Sequence, residues 1–137
     1  MITVDASVWV GFLDRSDPFF ADSEALLQRM QDLARPAYTP EFALIEIACA
    51  VARRHRDPKA GRKAASLLRQ HPRLTLVKMT RLMSFAESIG CQALLRGADA
   101  FYAATARLTR TPLVTWDREL IERGGGMTPS QWLARNP

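Results

Sequence analysis

Two rhythms of apolar and polar residues alternate along the chain. ITVDA at 2–6, short, β-branched and apolar on both faces, predicts a buried strand, and LTLVKM at 74–79 and PLVTW at 112–116 predict two more strands. Ala37–Thr39 predicts a further short strand. Between them the apolar residues fall at helical spacing. Val8, Trp9, Val10, Phe12 and Leu13 form one helical stripe, with Ser7 placed to cap it. A helix is expected over 18–33, with Ala21, Leu26, Leu27 and Met30 facing inward. Thr39 followed by Pro40 predicts an N-cap and a first-turn proline for a helix over 40–54. That helix is apolar almost all round and is expected to be central. Asp57–Pro58 opens a helix to about 70, stopped by His71–Pro72. Thr80 is placed to cap a helix running to Leu94, with a kink expected near Gly90. Gly97 starts another helix that ends near Arg110. Asp117–Leu120 begins a short one, the Gly124–Gly126 run makes a turn, and 129–134 forms a last helical turn.

Strands alternating with helices argue for an α/β fold with a mainly parallel sheet. There is no internal repeat, linker or low-complexity segment, so 137 residues are read as a single domain over 1–137. A hydrophobic share of 47% suits a compact globule rather than a disordered chain. No apolar run approaches the roughly 18 residues of a membrane span, and no signal peptide is evident. Cys49 and Cys91 lack metal-ligand spacing and read as small core residues, which suits a reducing cytoplasm. The net charge of +5 favours anionic partners without distinguishing RNA, DNA or an acidic protein.

Four acids break this pattern, each embedded in apolar or small residues: Asp5 in ITVDASVWV, Glu46 in FALIEIACAVA, Asp99 in LRGADAFYAATA and Asp117 in PLVTWDREL. Taking an unpaired carboxylate out of water costs several kcal/mol. Asp5 and Asp117 fall at strand ends, and Asp99 at a helix start. Glu46 lies in the central helix, where it can reach the same edge. Ligands bind at the carboxyl edge of an open parallel sheet, so the spacing permits one cluster. Unrelieved, such a cluster would tend to hold protons, and a hard divalent cation would relieve it. Taken singly, Asp99 or Asp117 is more often a helix cap than a ligand. Asp5 is nearer an even case. Glu46 has no capping explanation; its structural alternative is a buried ion pair with Arg53, Arg54 or Arg96.

Ser7 and Thr115 flank two of the acids, either to hydrogen-bond carboxylates and metal waters or to cap helices. Arg96 and Arg118 adjoin two acid motifs, either to neutralise phosphate or in ordinary surface roles. His55 and His71 lie in basic, polar surroundings and read as surface residues. The three Trp read as packing residues. The basic run 52–63 reads as a solvated helix–helix turn rather than a phosphate track. Nucleotide-binding glycine motifs are absent.

With VDAS, TPEFALIEIACAVAR, LRGADAFYAATA and PLVTWDREL in this order, the chain resembles a PIN-domain ribonuclease of the VapC-like toxins of type II toxin–antitoxin pairs. The last two segments together are the more specific ones, and the resemblance covers essentially the whole chain. It implies a PIN-like α/β fold: a small, mainly parallel sheet flanked by helices, with an acidic pocket at the strand carboxyl ends. It also implies Mg²⁺- or Mn²⁺-dependent cleavage of RNA, homodimerisation and a cognate antitoxin. One departure is that FFADSEALL lacks the histidine often seen near that point.

On this reading Asp5, Glu46, Asp99 and Asp117 are the catalytic set. Asp5 and Asp99 bind the principal ion, while Asp117 and Glu46 complete the site through water or a second ion. Ser7 and Thr115 support it. No His or Lys base is in evidence, which leaves the ion to activate water. A covalent-aspartate phosphotransfer site is the rival enzyme, but the position two residues after Asp5 is Ser7, and PLVTWDREL offers no Lys. A non-catalytic RNA- or partner-binding module uses the positive charge but gives no reason for Glu46.

Overall fold

The computed structural model describes residues 1–137. The element order is β1 (Ile2–Val4), α1 (Ala6–Leu13), α2 (Phe20–Asp32), β2 (Ala37–Pro40), α3 (Ala43–His55), α4 (Pro58–Arg69), β3 (Leu74–Val77), α5 (Met79–Ala93), α6 (Gly97–Thr109), β4 (Leu113–Val114), α7 (Arg118–Glu122) and α8 (Pro129–Ala134). The strands form one all-parallel sheet in the order β3-β2-β1-β4, so the expected α/β architecture with helices flanking a parallel sheet is what the chain adopts. Ile2, Thr3 and Val4 are all fully buried, as a central parallel strand requires. The main core gathers Trp9, Leu26, Ile47, Leu68 and Trp132 around the sheet. A smaller cluster of Val77, Leu82, Ala86, Ala100 and Ala104 joins β3 to α5 and α6.

Several local expectations are corrected, mostly at element ends. Ser7 does not cap α1; Asp5 does, because it stands one residue before the helix with its carboxylate over the Ser7 N–H. Thr39 caps no helix either, and α3 begins without a side-chain cap. In a parallel ladder the N–H of residue 40 would go to the Val4 carbonyl, and Pro40 has none. The Thr39 hydroxyl donates there instead at 2.6 Å, and accepts from the Trp9 indole at 2.9 Å. Lys78, not Thr80, stands at the N-cap of α5, and that helix runs unbroken through Gly90. A Cβ at Gly90 would lie 2.9 Å from that of Ala100, so this glycine admits α6 rather than kinking α5.

β4 is shorter than PLVTW, and on its outer side Met127 forms a parallel bridge, accepting the Thr115 N–H and donating to the Leu113 carbonyl. α2 starts at Phe20, and Ala21 is exposed while Ser23 takes an inward position. α3 buries only Ala43, Ile47 and Val51, and Ile45 is 66% exposed, so it is amphipathic rather than central. Both cysteines are free and exposed, not core residues. His71 is half-buried, edge-on to Trp9, and His55 is exposed but bound to Asp14.

The α3–α4 contact depends on Gly61. A Cβ there would sit 2.3 Å from the Ala48 carbonyl oxygen and 2.7 Å from the Ala52 Cβ. Neither obstacle can rotate away. Gly61→Val is therefore expected to destabilise the protein by about 1–3 kcal/mol or more, read as a lower urea midpoint. An unchanged midpoint would show that the two helices are not so closely apposed.

Candidate active site

The strand carboxyl edge is built by four chain segments. Asp5 extends the β1 ladder through its N–H to the Val114 carbonyl, 3.0 Å, and then caps α1. Its Oδ2 accepts from the Ser7 hydroxyl and from Thr115 Oγ1, the latter at 2.8 Å. The same two hydroxyls accept backbone N–H groups from Trp116 at 3.0 Å and Asp117 at 2.8 Å. Ser7 and Thr115 therefore hold the Asp5 carboxylate and tie the end of β1 to the chain leaving β4. Asp117 caps α7, its Oδ1 accepting from the N–H groups of Glu119 and Leu120 at 2.8 and 3.2 Å. Asp99 lies buried in the first turn of α6. Glu46 lies in the first turn of α3, where the Tyr102 hydroxyl donates to it.

Arg96, immediately before α6, spans the acids. Its Nε lies 2.6 Å from Asp99 Oδ2 and 3.1 Å from Glu119 Oε2, and its Nη2 lies 2.7 Å from Asp117 Oδ2. Arg118 takes the surface role: it is 89% exposed and pairs with Glu122.

The electrostatics follow from burial and from these bonds. Burial pushes the Asp5 carboxyl up against the opposing pull of Ser7 and Thr115. Burial raises Glu46, Tyr102 opposes it, and the charges of Asp5 and Asp99 add to the rise. Asp99 is raised by burial and by Asp117 and Glu119, with Arg96 pulling the other way. Burial acts upward on Asp117 as well, but Arg96 and the two α7 N–H groups outweigh it and hold that carboxyl low. Geometry links three of the four acids: Arg96 bridges Asp99 and Asp117, and Thr115 joins the Asp5 carboxylate to the Asp117 N–H.

They are not gathered into a ready metal cage. No group of three His, Cys, Asp or Glu side chains stands close enough to hold an ion. Glu46 and Asp117 line a cleft of about 470 Å³ together with Ser7 and Trp116, whereas Asp5 and Asp99 lie outside its lining. Arg96 bridges the carboxylates of Asp99 and Asp117, and of the four acids the cleft beside them takes only Glu46 and Asp117. The chemistry of the donors nonetheless fits a hard cation: all are carboxylate oxygens, and burial raises three of the carboxyls, disfavouring charge that a cation would stabilise.

Sequence reasoning missed Tyr102 and Glu119. Tyr102 follows Asp99 by three residues, a spacing that puts both on one helix face. Glu119 follows Asp117 by two and is drawn in by Arg96. Of the three proposed partners of Glu46, Arg54 turns away to Asp14 and Asp17 instead.

The sequence matches the family profile described as PIN domain over residues 2–126. The chain belongs to the PIN-domain family. Solved structures of similar fold include a toxin–antitoxin complex from Klebsiella pneumoniae, 17% identical, covering 94% of this chain and 98% of that one, with a TM-score of 0.66. VapC20 of Mycobacterium tuberculosis, a Sarcin-Ricin loop cleaving toxin, is 18% identical over 85% of this chain and 90% of that one, TM-score 0.68. VapBC2 of Rickettsia felis, bound to a DNA fragment from its promoter, is 11% identical over 93% of this chain and 97% of that one, TM-score 0.70. No curated protein matches the sequence. At such identities the likeness is one of fold, and it places this PIN domain's sheet and helices beside those of VapC toxins.

Proposed function

We propose that this PIN domain is a metal-dependent endoribonuclease, the toxin of a toxin–antitoxin pair. The observation that carries this reading is the family match over 2–126 combined with linked acids at one sheet edge. Asp5, Asp99 and Asp117 are the residues that would hold Mg²⁺ or Mn²⁺, and Glu46 completes the catalytic set. When bound, the ion supplies a Lewis acid for the phosphate and lowers the pKa of water. Ser7 and Thr115 fix the Asp5 carboxylate. Tyr102 fixes Glu46 and keeps it from protonating further. Arg96 balances the acids in the absence of an ion, and an ion that takes its place would release it to meet phosphate charge.

The partners in this reading are RNA, a cognate antitoxin and a second copy of the chain. Exposed apolar residues on α5 and just past its end support the dimer: Met83 is 59%, Phe85 43% and Leu94 74% exposed. No helix is long and apolar enough to cross a membrane, and a cytoplasmic location is part of the proposal. The runner-up is a non-catalytic module of the same fold, favoured by Arg96 neutralising two of the acids.

Expression decides between them. The wild type alone should arrest growth and cut RNA with Mg²⁺ or Mn²⁺, and the product of the neighbouring gene should relieve both. A harmless protein that cuts no substrate with either ion overturns the nuclease reading. A second prediction concerns Arg96. Arg96→Gln removes the only cation bonded to Asp99, so the metal-free protein should melt lower than wild type. The gain on adding Mg²⁺ or Mn²⁺ should be correspondingly larger, since ligand binding to the folded state stabilises it by mass action. Equal gains in both proteins would mean that the ion does not engage these carboxylates.

A further inference from the structure

The cleft that Glu46 and Asp117 line has a second wall that the proposed chemistry does not use. Phe19 and Trp116 stack there with ring centroids 4.4 Å apart and planes 13° off parallel. The indole ring and the Phe19 backbone are held in place. The Trp116 indole N–H donates to Ser23 at 3.0 Å, and the Phe19 N–H donates to the buried Asp17 carboxylate at 2.8 Å. Phe19 remains 43% exposed although one of its faces is covered by Trp116, so what it offers is the opposite face and edge.

Arg54 also lines the cleft, on the same Asp17 carboxylate that takes the Phe19 N–H. Both of its hydrogen bonds leave from Nη1, to Asp14 at 2.9 Å and Asp17 at 2.6 Å. A guanidinium has five N–H donors, so those on Nε and Nη2 stay available.

We propose that this cleft is a base-binding subsite, in which a nucleotide flanking the cleavage position lays its base on Phe19 and turns an acceptor edge to Arg54. The inference rests on the ribonuclease reading and names the part of the substrate this surface takes. Charge argues for a base rather than a phosphate. The lining carries Asp17, Glu46 and Asp117 against the single cation Arg54, which repels a phosphate but not a neutral ring. A volume of about 470 Å³ accommodates a nucleoside within the range of ordinary ligand sites. Because the indole, the Phe19 backbone and the guanidinium are already anchored, little side-chain freedom is lost when the base enters. The free donors of Arg54 match paired acceptors such as guanine O6 and N7.

The test is independent of cleavage. In metal-free buffer, guanosine and ribose 5-phosphate are titrated separately into ¹⁵N-labelled protein, following the Trp116 indole N–H and the Arg54 Nε–H by NMR. Guanosine should shift both signals saturably, and ribose 5-phosphate should not. Phe19→Ala should weaken guanosine by roughly 5- to 150-fold, the range for losing one base–aromatic stack, while Phe19→Tyr restores it. Circular dichroism melts establish that each variant is folded. If Phe19→Ala binds guanosine as wild type does, or if only ribose 5-phosphate shifts these signals, the subsite is wrong even where RNA cleavage stands. If guanosine binds as stated but no RNA is cut, the subsite stands and the nuclease reading falls. With an active enzyme, Phe19→Ala should raise KM far more than it lowers kcat and flatten the preference for the base beside the cut; an unchanged preference overturns the assignment.

Discussion

Asp99→Asn is expected to reduce metal-dependent RNA cleavage by about 100-fold or more, the scale seen when one electrostatic element of an active site is removed. It should do so without unfolding the protein. Asp99 is buried, and burial together with Asp117 and Glu119 already disfavours its charge. Asparagine keeps the shape and removes that charge, so the metal-free variant should melt no lower than wild type apart from the lost bond to Arg96. Loss of function at no cost in stability is what a site holding unfavourable charge predicts. Asp5→Asn should behave alike in activity, because Ser7 and Thr115 position that carboxylate and are not themselves reactive. The measurements are initial rates on RNA with Mn²⁺ and thermal melts with and without the ion. A strongly destabilised Asp99→Asn whose residual folded fraction still cleaves at the wild-type rate would make Asp99 a structural acid.

Asp14 shows the opposite behaviour, an acid whose charge the fold needs. It closes α1 with only 4% of its side chain exposed. Its Oδ1 accepts from the Ser16 N–H and hydroxyl at 3.0 and 2.6 Å, and its Oδ2 from Arg54 at 2.9 Å and His55 at 3.0 Å. Burial pushes this carboxyl up, but the Ser16, Arg54 and His55 bonds outweigh it and hold it well below the ordinary aspartate range. The folded value is depressed, so the stabilisation is present above the unfolded value near 4 and is lost as pH falls through the folded one. Acid should therefore weaken the protein below about pH 4, with Asp14 a main contributor. Asp14→Asn should cost about 2–3 kcal/mol at neutral pH; the figure lies below the usual range for breaking a buried pair because Arg54 is 40% exposed. It should also flatten the acid limb of the stability profile. Urea midpoints from pH 7 to pH 2.5 check both, and an acid limb as steep as that of the wild type would remove Asp14 from the account.

The two acids separate what the sequence can say from what it cannot. Asp99 announces itself because its neighbours are apolar or small. Asp14, in GFLDRSDPFF, looks like any loop aspartate; its burial is set by Arg54, forty residues on in α3, which no local pattern connects to it. Arg54 is one of three arginines, with Arg53 and Arg96, that the chain offers as a structural partner for Glu46. It faces Asp14 and Asp17 instead, and Glu46 takes the hydroxyl of Tyr102 from α6.

By itself the sequence determined the parallel α/β architecture and the approximate positions of all four strands, and it singled out four acids in apolar settings. Period and composition carry that information locally: a buried parallel strand must be short and continuously apolar, and an acid in apolar surroundings must have a reason to be there. Only the tertiary structure decided the details at element ends, where side-chain bonds compete. Asp5 rather than Ser7 caps α1, and Thr39 supplies the bond that Pro40 cannot. It also decided that Arg96 bridges Asp99 and Asp117, and that Phe19 stacks on Trp116 along the cleft. Such pairings join residues far apart in the chain; they depend on how the sheet sets its helices side by side, and a guanidinium or an aromatic ring carries no mark in the sequence of which distant partner it will meet.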